Sequence, residues 1–201
     1  MKVNHRTQAE RSAETRAALI AAGRKLFTEH GFTGVGTQAI GAAAGVSRGA
    51  LYHQFADKTE LFAAVFEDVE ESVMARIGEI AARADISSPV DAMEVGARAW
   101  LDACAEPEVH RIVLIEAPSV LGWERWREAC LKYGIGLIEN LLTAAIAEGL
   151  IPQQPVLPMA HVIGAMVDEA ALYVARAADP DKARQEMYDV MSRFLGALTN
   201  D

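Results

Sequence analysis

The sequence has little cysteine, and the two it has lie far apart. Cys104 and Cys130 each stand alone in an apolar pattern with helical spacing, and there is no CxxC motif. No His or Asp lies nearby at a spacing typical of metal ligands. We therefore interpret both as small buried thiols in a reducing compartment, and we expect neither a metal nor a cofactor.

Long hydrophobic runs are also lacking. Charged residues, Gly or Pro interrupt every apolar stretch before it reaches the ~18 residues that a membrane-spanning helix needs. The opening segment, MKVNHRTQAERSAETR, is polar and lacks the apolar core of a secretory signal. These absences predict a cytoplasmic protein with no membrane partner.

Catalytic motifs are missing as well. The sequence contains no HExxH, no GxSxG, no phosphate-binding loop and no paired Cys/His ligands. We therefore do not expect an enzyme. An all-helical enzyme, or a small-molecule-binding protein without regulatory DNA binding, remains the alternative, and a chromatin protein would need a more basic chain.

Positive charge is scarce overall but unevenly distributed. The net charge is −9, yet residues 1–58 carry 8 Lys and Arg against 4 Asp and Glu, a balance of +4. The remaining residues carry 11 against 24, a balance of −13. A basic segment joined to an acidic remainder is typical of a protein that meets nucleic acid at one end only, although chance variation in surface charge would look similar.

What the sequence does have is apolar residues at helical spacing almost throughout. Because they recur at i, i+3 and i+4, we predict an all-α fold of about nine helices. Thr15 begins the first predicted helix, which Gly31 ends, and Thr37, Ser47 and Asp57 are the predicted N-caps of the next three. The predicted later helices span residues 89–104, 107–116 (stopped by Pro118), 123–149, 159–177 and 180–198.

The stretch AGVSRGALYHQF, residues 44–55, has the features of a helix-turn-helix. Gly45 ends one short helix, Ser47 begins the next, and Leu51 and Phe55 supply the buried side. On the opposite side Arg48 can donate twice to guanine, while Tyr and His side chains can donate to phosphate oxygens. The candidate DNA-facing residues are Arg48, Gly49, Tyr52 and His53, with Thr37 and Lys58 near helix N-termini that favour phosphate.

A wider pattern includes this stretch. The run TQAIGAAAGVSRGALYHQFADKTELFAAVF, preceded by LFTEHGFTGVG, closely resembles the DNA-binding domain of the tetracycline-repressor (TetR) family. It departs from the family pattern at Gly41, where Ala is usual, and at Gln54, where His or Tyr is common. The resemblance implies a DNA-facing set of Thr37, Ser47, Arg48, Gly49, Tyr52, His53 and Lys58.

The same resemblance implies a domain organisation. We expect a flexible N-terminal arm at residues 1–12, a helix-turn-helix head at 13–65, and a helical ligand-binding and dimerisation body at 66–201. The implied protein is a homodimeric regulator, most often a repressor, that a small-molecule effector releases from double-stranded operator DNA. The nearly all-apolar segment 159–177 agrees with a dimer interface, although a buried helix of a monomer would show the same pattern.

The ligand site is expected between the long helices that begin near Asp57, Trp123 and Met159. Aromatic side chains suit its walls, and the segment EAPSVLGWERW suggests an entrance for an aromatic or cationic molecule. A core or surface role remains the alternative for every one of these residues. The candidates are Trp100, Trp123, Trp126, Tyr133 and Met166 as walls, with His110, Glu116, Arg125 and Glu169 as polar anchors.

Overall fold

The structure, a computed structural model, describes residues 7–199, with the side chains of Cys130 and Leu131 left out. All regular structure in this range is helical, which confirms the predicted all-α fold. Cys104 is a buried free thiol, as expected, whereas the expectation for Cys130 lies outside the described side chains.

Between residues 7 and 199 the chain forms nine continuous helices, two of which contain a π-helical segment. The first of these two spans residues 107–120 with a π segment at His110–Glu116, and the second spans residues 123–147 with a π segment at Leu131–Ile135. The α-helical bounds are α1 Gln8–Gly34, α2 Thr37–Ala43, α3 Arg48–Gln54, α4 Lys58–Arg83, α5 Pro89–Cys104, α6 Pro107–Val109, α7 Ala117–Val120, α8 Trp123–Cys130, α9 Gly136–Ala147, α10 Val156–Arg176 and α11 Pro180–Gly196.

Helix α1 begins earlier than the sequence suggested. Thr7 and Glu10 form a capping box, in which Thr7 Oγ1 accepts from the Glu10 amide at 3.2 Å and the Thr7 amide donates to Glu10 Oε2 at 2.7 Å. Because this box satisfies the free amides of the first turn, residues 8–12 are helical. The flexible arm predicted for residues 1–12 is therefore wrong over 8–12, and its first six residues lie outside the described range.

Helix α1 is kinked at Gly31, near its C-terminal end. Gly31 has a φ of 73° and a ψ of 168°, an extended conformation open essentially to glycine alone, and one further turn follows before the helix ends at Gly34. The N-cap of α2 is Gly36 rather than Thr37, and no side chain caps it. Ser47 and Asp57 do cap α3 and α4 through the amides of Ala50 and Glu60.

Pro118 does not stop a helix, which corrects the predicted end at Glu116. The helix continues to Val120 because the π-helical segment His110–Glu116 lies directly before the proline. Pro118 then falls in the first turn of α7, the position of a helix that tolerates proline best. The π segment thus allows a proline inside a continuous helix.

The core runs without a break from the N-terminal helices into the rest of the molecule. Helix α1 packs on α4, and rings of Phe27, Phe32 and Phe62 meet with centroids 5.3 to 5.9 Å apart. Beyond α4, helix α5 packs against α4, α9, α10 and α11. Helix α4 contributes to both parts of the core and so joins the N-terminal helices to the rest of the molecule.

Two helical stretches, Trp123–Ala147 and Val156–Arg176, are long and apolar enough to cross a membrane by length and composition. The expectation that the sequence contains no such stretch is wrong by this criterion. One face of each stretch packs into the protein core, with Leu142, Ala160 and Val174 among the buried residues. A helix with apolar residues on both its buried and its exposed face also meets this criterion of length and composition without crossing a membrane.

Candidate DNA-binding face and ligand cavity

The orientation of α3 follows from its caps and its buried side. Gly45 has a φ of 68° in the turn, and Ser47 Oγ accepts from the Ala50 amide at 3.2 Å, which begins the helix. Leu51 and Phe55 are buried against the core. The opposite side of α3 therefore faces solvent.

Four residues predicted to face DNA lie on that exposed side, which we call the α3 face: Arg48, Gly49, Tyr52 and His53. The Tyr52 hydroxyl is 3.2 Å from Thr37 Oγ1, and the Arg48 guanidinium lies 5.6 Å from the centroid of the Tyr52 ring. The hydrogen bond with Thr37, followed by the charge of Arg48, lowers the pKa of Tyr52. These contacts position the phenol and the guanidinium on the exposed side of α3, with the phenol beside the start of α2.

Lys58, which was expected to face DNA, binds backbone groups of the protein instead. Its ammonium points inward, donates to the carbonyl oxygens of Phe32 at 2.8 Å and Val35 at 3.0 Å, and lies 4.1 Å from the Phe32 ring centroid. Gln54 is likewise used internally, since its amide donates to Ser12 Oγ at 2.8 Å. Both side chains hold neighbouring helices together instead of extending toward a phosphate.

A cavity of about 120 Å³ lies in the body, between α4, α5, α8, α9, α10 and the two π-helical segments. Trp100, Trp126, Gly96 and Gly164 are among the residues that line it, and a Cβ on Gly96 would meet no atom within 4 Å. Both π segments border it, the first through Val113 and Leu114. Since π-helical turns are uncommon and concentrate at functional sites, their position marks this cavity as the candidate ligand site.

The other candidate ligand residues lie outside the cavity lining. Trp123 is 67% exposed and contacts the Trp126 ring at a centroid distance of 5.1 Å. Met166 packs against the core without lining the cavity, and the Glu116 carboxylate accepts from the Phe32 amide at 2.8 Å. The cavity lining likewise leaves out His110, Tyr133, Arg125 and Glu169.

The sequence reasoning missed the cavity's charged residues, which are Glu70, Arg127 and Asp168. Glu70 lies one helical turn after Phe66 and one before Val73, on the buried stripe of α4. A carboxylate on an apolar stripe was the signal in the sequence, because such groups are rarely buried without a purpose.

Burial controls the charge of these groups. Glu70 is only 4% exposed, and desolvation, with a smaller effect of the nearby Asp168 charge, raises its pKa to about 8. Desolvation also raises the pKa of Asp168 to about 6, against the opposing effects of Arg127 and Trp100. The Arg127 guanidinium lies 2.8 Å from His161 Nδ1. Near neutral pH, Glu70 therefore carries a proton while Asp168 is mostly ionised beside Arg127.

Two indole N–H groups near the cavity, Trp100 Nε1 and Trp126 Nε1, are buried without an acceptor in hydrogen-bonding geometry among the residues described. The Trp100 indole is still close enough to Asp168 to favour the ionised carboxylate. The cavity walls thus combine aromatic surface with polar groups whose hydrogen bonds are incomplete.

A set of polar contacts, which we call the junction, joins α1 to the helix that borders the cavity. Arg24 on α1 binds both carboxylate oxygens of Glu108 at 2.6 and 2.7 Å and Asp68 on α4 at 2.7 Å. Arg111 donates to the Thr28 carbonyl at 2.9 Å. Glu116 completes the junction at the Gly31 kink. A Cβ on Gly31 would lie 2.5 Å from the Glu116 Oε1 atom.

A further ion pair connects α8 to the start of α4. Arg125 binds both carboxylate oxygens of Glu60 at 2.6 and 3.1 Å, and this pairing lowers the pKa of Glu60. Arg125 and Glu116, both expected to anchor a ligand, thus connect the cavity region to the N-terminal helices.

Comparison with protein families matches two parts of the chain. Residues 19–65 match the family described as bacterial regulatory proteins, tetR family. Residues 90–198 match the family described as Tetracyclin repressor-like, C-terminal domain. Among curated proteins, the HTH-type transcriptional regulator CymR of Pseudomonas putida is 45% identical over 76 residues, which are 38% of this chain and 37% of CymR.

Solved structures extend the similarity to nearly the whole chain. A TetR-family transcriptional regulator from Pectobacterium atrosepticum is 30% identical, with a TM-score of 0.81 over 98% of this chain and 99% of that one. The structure of RolR in complex with its ligand resorcinol is 20% identical, with a TM-score of 0.72 over 94% of this chain and 91% of that one. At that identity the second similarity concerns the fold alone.

Proposed function

The chain belongs to the TetR family of bacterial transcriptional regulators, and we propose that it is a repressor that releases its operator when a small molecule occupies the cavity. The observation that carries this proposal is the α3 face, where Arg48, Tyr52 and His53 are exposed on a helix whose other side is buried. We propose residues 13–65 as the DNA-binding head and 66–201 as the body.

On DNA, the α3 face would enter the major groove. Arg48 is the candidate for bidentate contact with a guanine, and Gly49 allows the backbone to approach the groove floor. Tyr52, Thr37 and His53 would donate to phosphates and fix the register of the helix. Ser47 serves mainly as the cap of α3, and Lys58 acts by holding α4 to the end of α1.

A homodimer would present two such heads to one operator. The outer sides of α10 and α11 expose large apolar side chains, with Val162 60% and Phe194 61% exposed. Tyr173 and Val190 are exposed on the same two helices. Burying this surface against a second subunit supplies the hydrophobic free energy of association and accounts for a helix that is apolar on both sides.

The junction supports a route from cavity to head. A ligand in the cavity would press on Val113 and Leu114, in the same π-helical segment that ends at Glu116. Glu116 holds the Phe32 amide, and Lys58 holds the Phe32 carbonyl from the start of α4. A shift of this segment therefore changes how α1 packs against the start of α4. The separation of the two α3 faces in the dimer changes with it.

This function places the protein in the cytoplasm with DNA, a second copy of the chain and a small-molecule effector as partners. Selection of duplexes from a randomised DNA library tests it without knowledge of the operator. We expect a two-fold symmetric site whose half-sites lie about 10 base pairs apart, or a multiple of that spacing. Enrichment of no sequence above the starting library would contradict the proposal.

A further inference from the structure

We infer that the effector is a compact lipophilic cation, an apolar or aromatic molecule of about one ring that carries a protonated amine which pairs with Glu70. The inference rests on the proposed function, because it names the class of molecule that the cavity takes. It follows from the charges, the walls and the size of the cavity.

The charges of the cavity are unbalanced. Two carboxyl groups, Glu70 and Asp168, line it with a single guanidinium, that of Arg127. Arg127 acts on Asp168 and contacts His161, whereas no described side chain donates a hydrogen bond to Glu70. A carboxyl group buried to this degree without a partner is costly, and a ligand that brings a positive charge removes that cost.

The walls and the size agree with a cation that has an apolar body. Trp100 and Trp126 offer aromatic faces that attract a positive charge, and the remaining lining is largely aliphatic. An apolar cavity of about 150 Å³ is known to take benzene, so the volume here of about 120 Å³ limits the apolar body of the ligand to about one small ring.

Proton release follows from this pairing. The titratable or charged groups around Glu70 are Asp168, Arg127 with His161, and the Cys104 thiol, whose pKa burial raises. Because burial also raises the pKa of Glu70 to about 8, an ammonium ligand displaces the carboxyl proton when it binds below that pH. The observed affinity for an amine then increases about tenfold per pH unit up to about pH 8 and levels off above it.

The experiment uses three one-ring probes that differ in charge: benzylamine, benzyl alcohol and benzoate. Each is titrated into the full-length protein, with tryptophan fluorescence and thermal unfolding as readouts, between about pH 6 and about pH 9. We expect benzylamine to bind at least about tenfold more tightly than benzyl alcohol near pH 8, with the pH dependence described above, and benzoate to bind most weakly.

Glu70→Gln tests the residue itself. The variant should reduce benzylamine affinity to the level of benzyl alcohol, remove its pH dependence and leave benzyl alcohol binding unchanged within about threefold. Glu79→Gln, on an exposed part of the same helix, is the matched control and should bind like wild type. The pH series on wild-type protein keeps the test decisive if Glu70→Gln fails to fold.

Three results would overturn the inference: equal binding of amine and alcohol, preference for benzoate, or no binding of any probe. An amine preference that persists in folded Glu70→Gln would overturn it as well. Selection of an operator by the unliganded protein is measured on the same preparations. Loss of that selection counts against the proposed function, whereas intact selection without amine preference counts only against the ligand class.

Discussion

The head and the body differ in whether their polar residues are exposed or buried. In the head, the buried side of α3 is apolar and the polar residues Arg48 and Tyr52 face outward, where a large partner can reach them. In the body, Glu70 and Asp168 face inward onto a small cavity, while apolar residues such as Phe194 face outward. The proposed DNA-binding surface thus consists of exposed polar groups, and the proposed small-molecule site contains buried ones.

The largest expected effect comes from the outer apolar surface of the body. The double change Val162→Glu and Phe194→Glu should separate the proposed dimer and reduce operator affinity by about 10²- to 10⁴-fold, because two linked heads bind far better than one. Light scattering gives the mass and fluorescence anisotropy gives the affinity.

Ile80→Glu is the matched control, since Ile80 is an exposed apolar residue on α4 rather than on α10 or α11. It should remain dimeric. A wild-type protein that scatters light as a 21.7 kDa monomer would contradict the two-headed arrangement.

The second largest expected effect is a pH dependence of the free energy of unfolding, caused by the buried carboxyl groups. The folded-state pKa of Glu70 is about 8, above its ordinary value of 4.5, so the folded state binds a proton that the unfolded state releases between these values. Glu70 alone should therefore lower the free energy of unfolding with rising pH across this window, by at most about 1.4 kcal/mol per unit.

Urea unfolding measured at a series of pH values checks this in wild type and Glu70→Gln. In the variant the decrease should end near the Asp168 pKa of about 6 instead of continuing to about 8. Parallel curves for the two proteins above pH 6 would show that Glu70 is not protonated in the fold.

A smaller effect is expected at the α3 face. Arg48→Ala should weaken operator binding by about 1–3 kcal/mol and relax base preference at one position of each half-site, because a bidentate contact to guanine is lost. Anisotropy titrations against operators changed one base pair at a time measure both quantities. Arg83→Ala removes an exposed arginine from the body as the control, and an equal loss for all operator variants would exclude base recognition by Arg48.

The smallest effect is expected for Tyr52→Phe. Loss of the hydroxyl removes one phosphate donor and the link to Thr37, at a cost of about 0.5–1.5 kcal/mol that is the same for every operator sequence. The titrations above distinguish the two variants. A change of base preference in Tyr52→Phe would assign the phenol to base contact.

The sequence predicted the head well and the cavity poorly for a physical reason. Gly45, Ser47 and Asp57 act on residues a few positions away, so their roles can be inferred locally. Lys58 and Glu116 bind backbone groups of α1 that are distant along the chain, and nothing in their neighbourhood indicates this.

The cavity depends still more on packing. Trp100 and Trp126 line it but Trp123 does not, although all three are indoles on helices, because the rotation of each helix decides which face is buried. The two π-helical segments that border the cavity, His110–Glu116 and Leu131–Ile135, were not predicted either. Glu70 could have been found, since it interrupts an apolar stripe at helical spacing.

We propose that the cavity and the α3 face are coupled through the junction. The most direct test is the affinity of the selected operator for wild-type protein with and without benzylamine, with cavity occupancy followed by tryptophan fluorescence. We predict that saturation with benzylamine weakens operator binding by about 5- to 150-fold and that operator weakens benzylamine binding by the same factor. An operator affinity that is unchanged while benzylamine fills the cavity would contradict the claim.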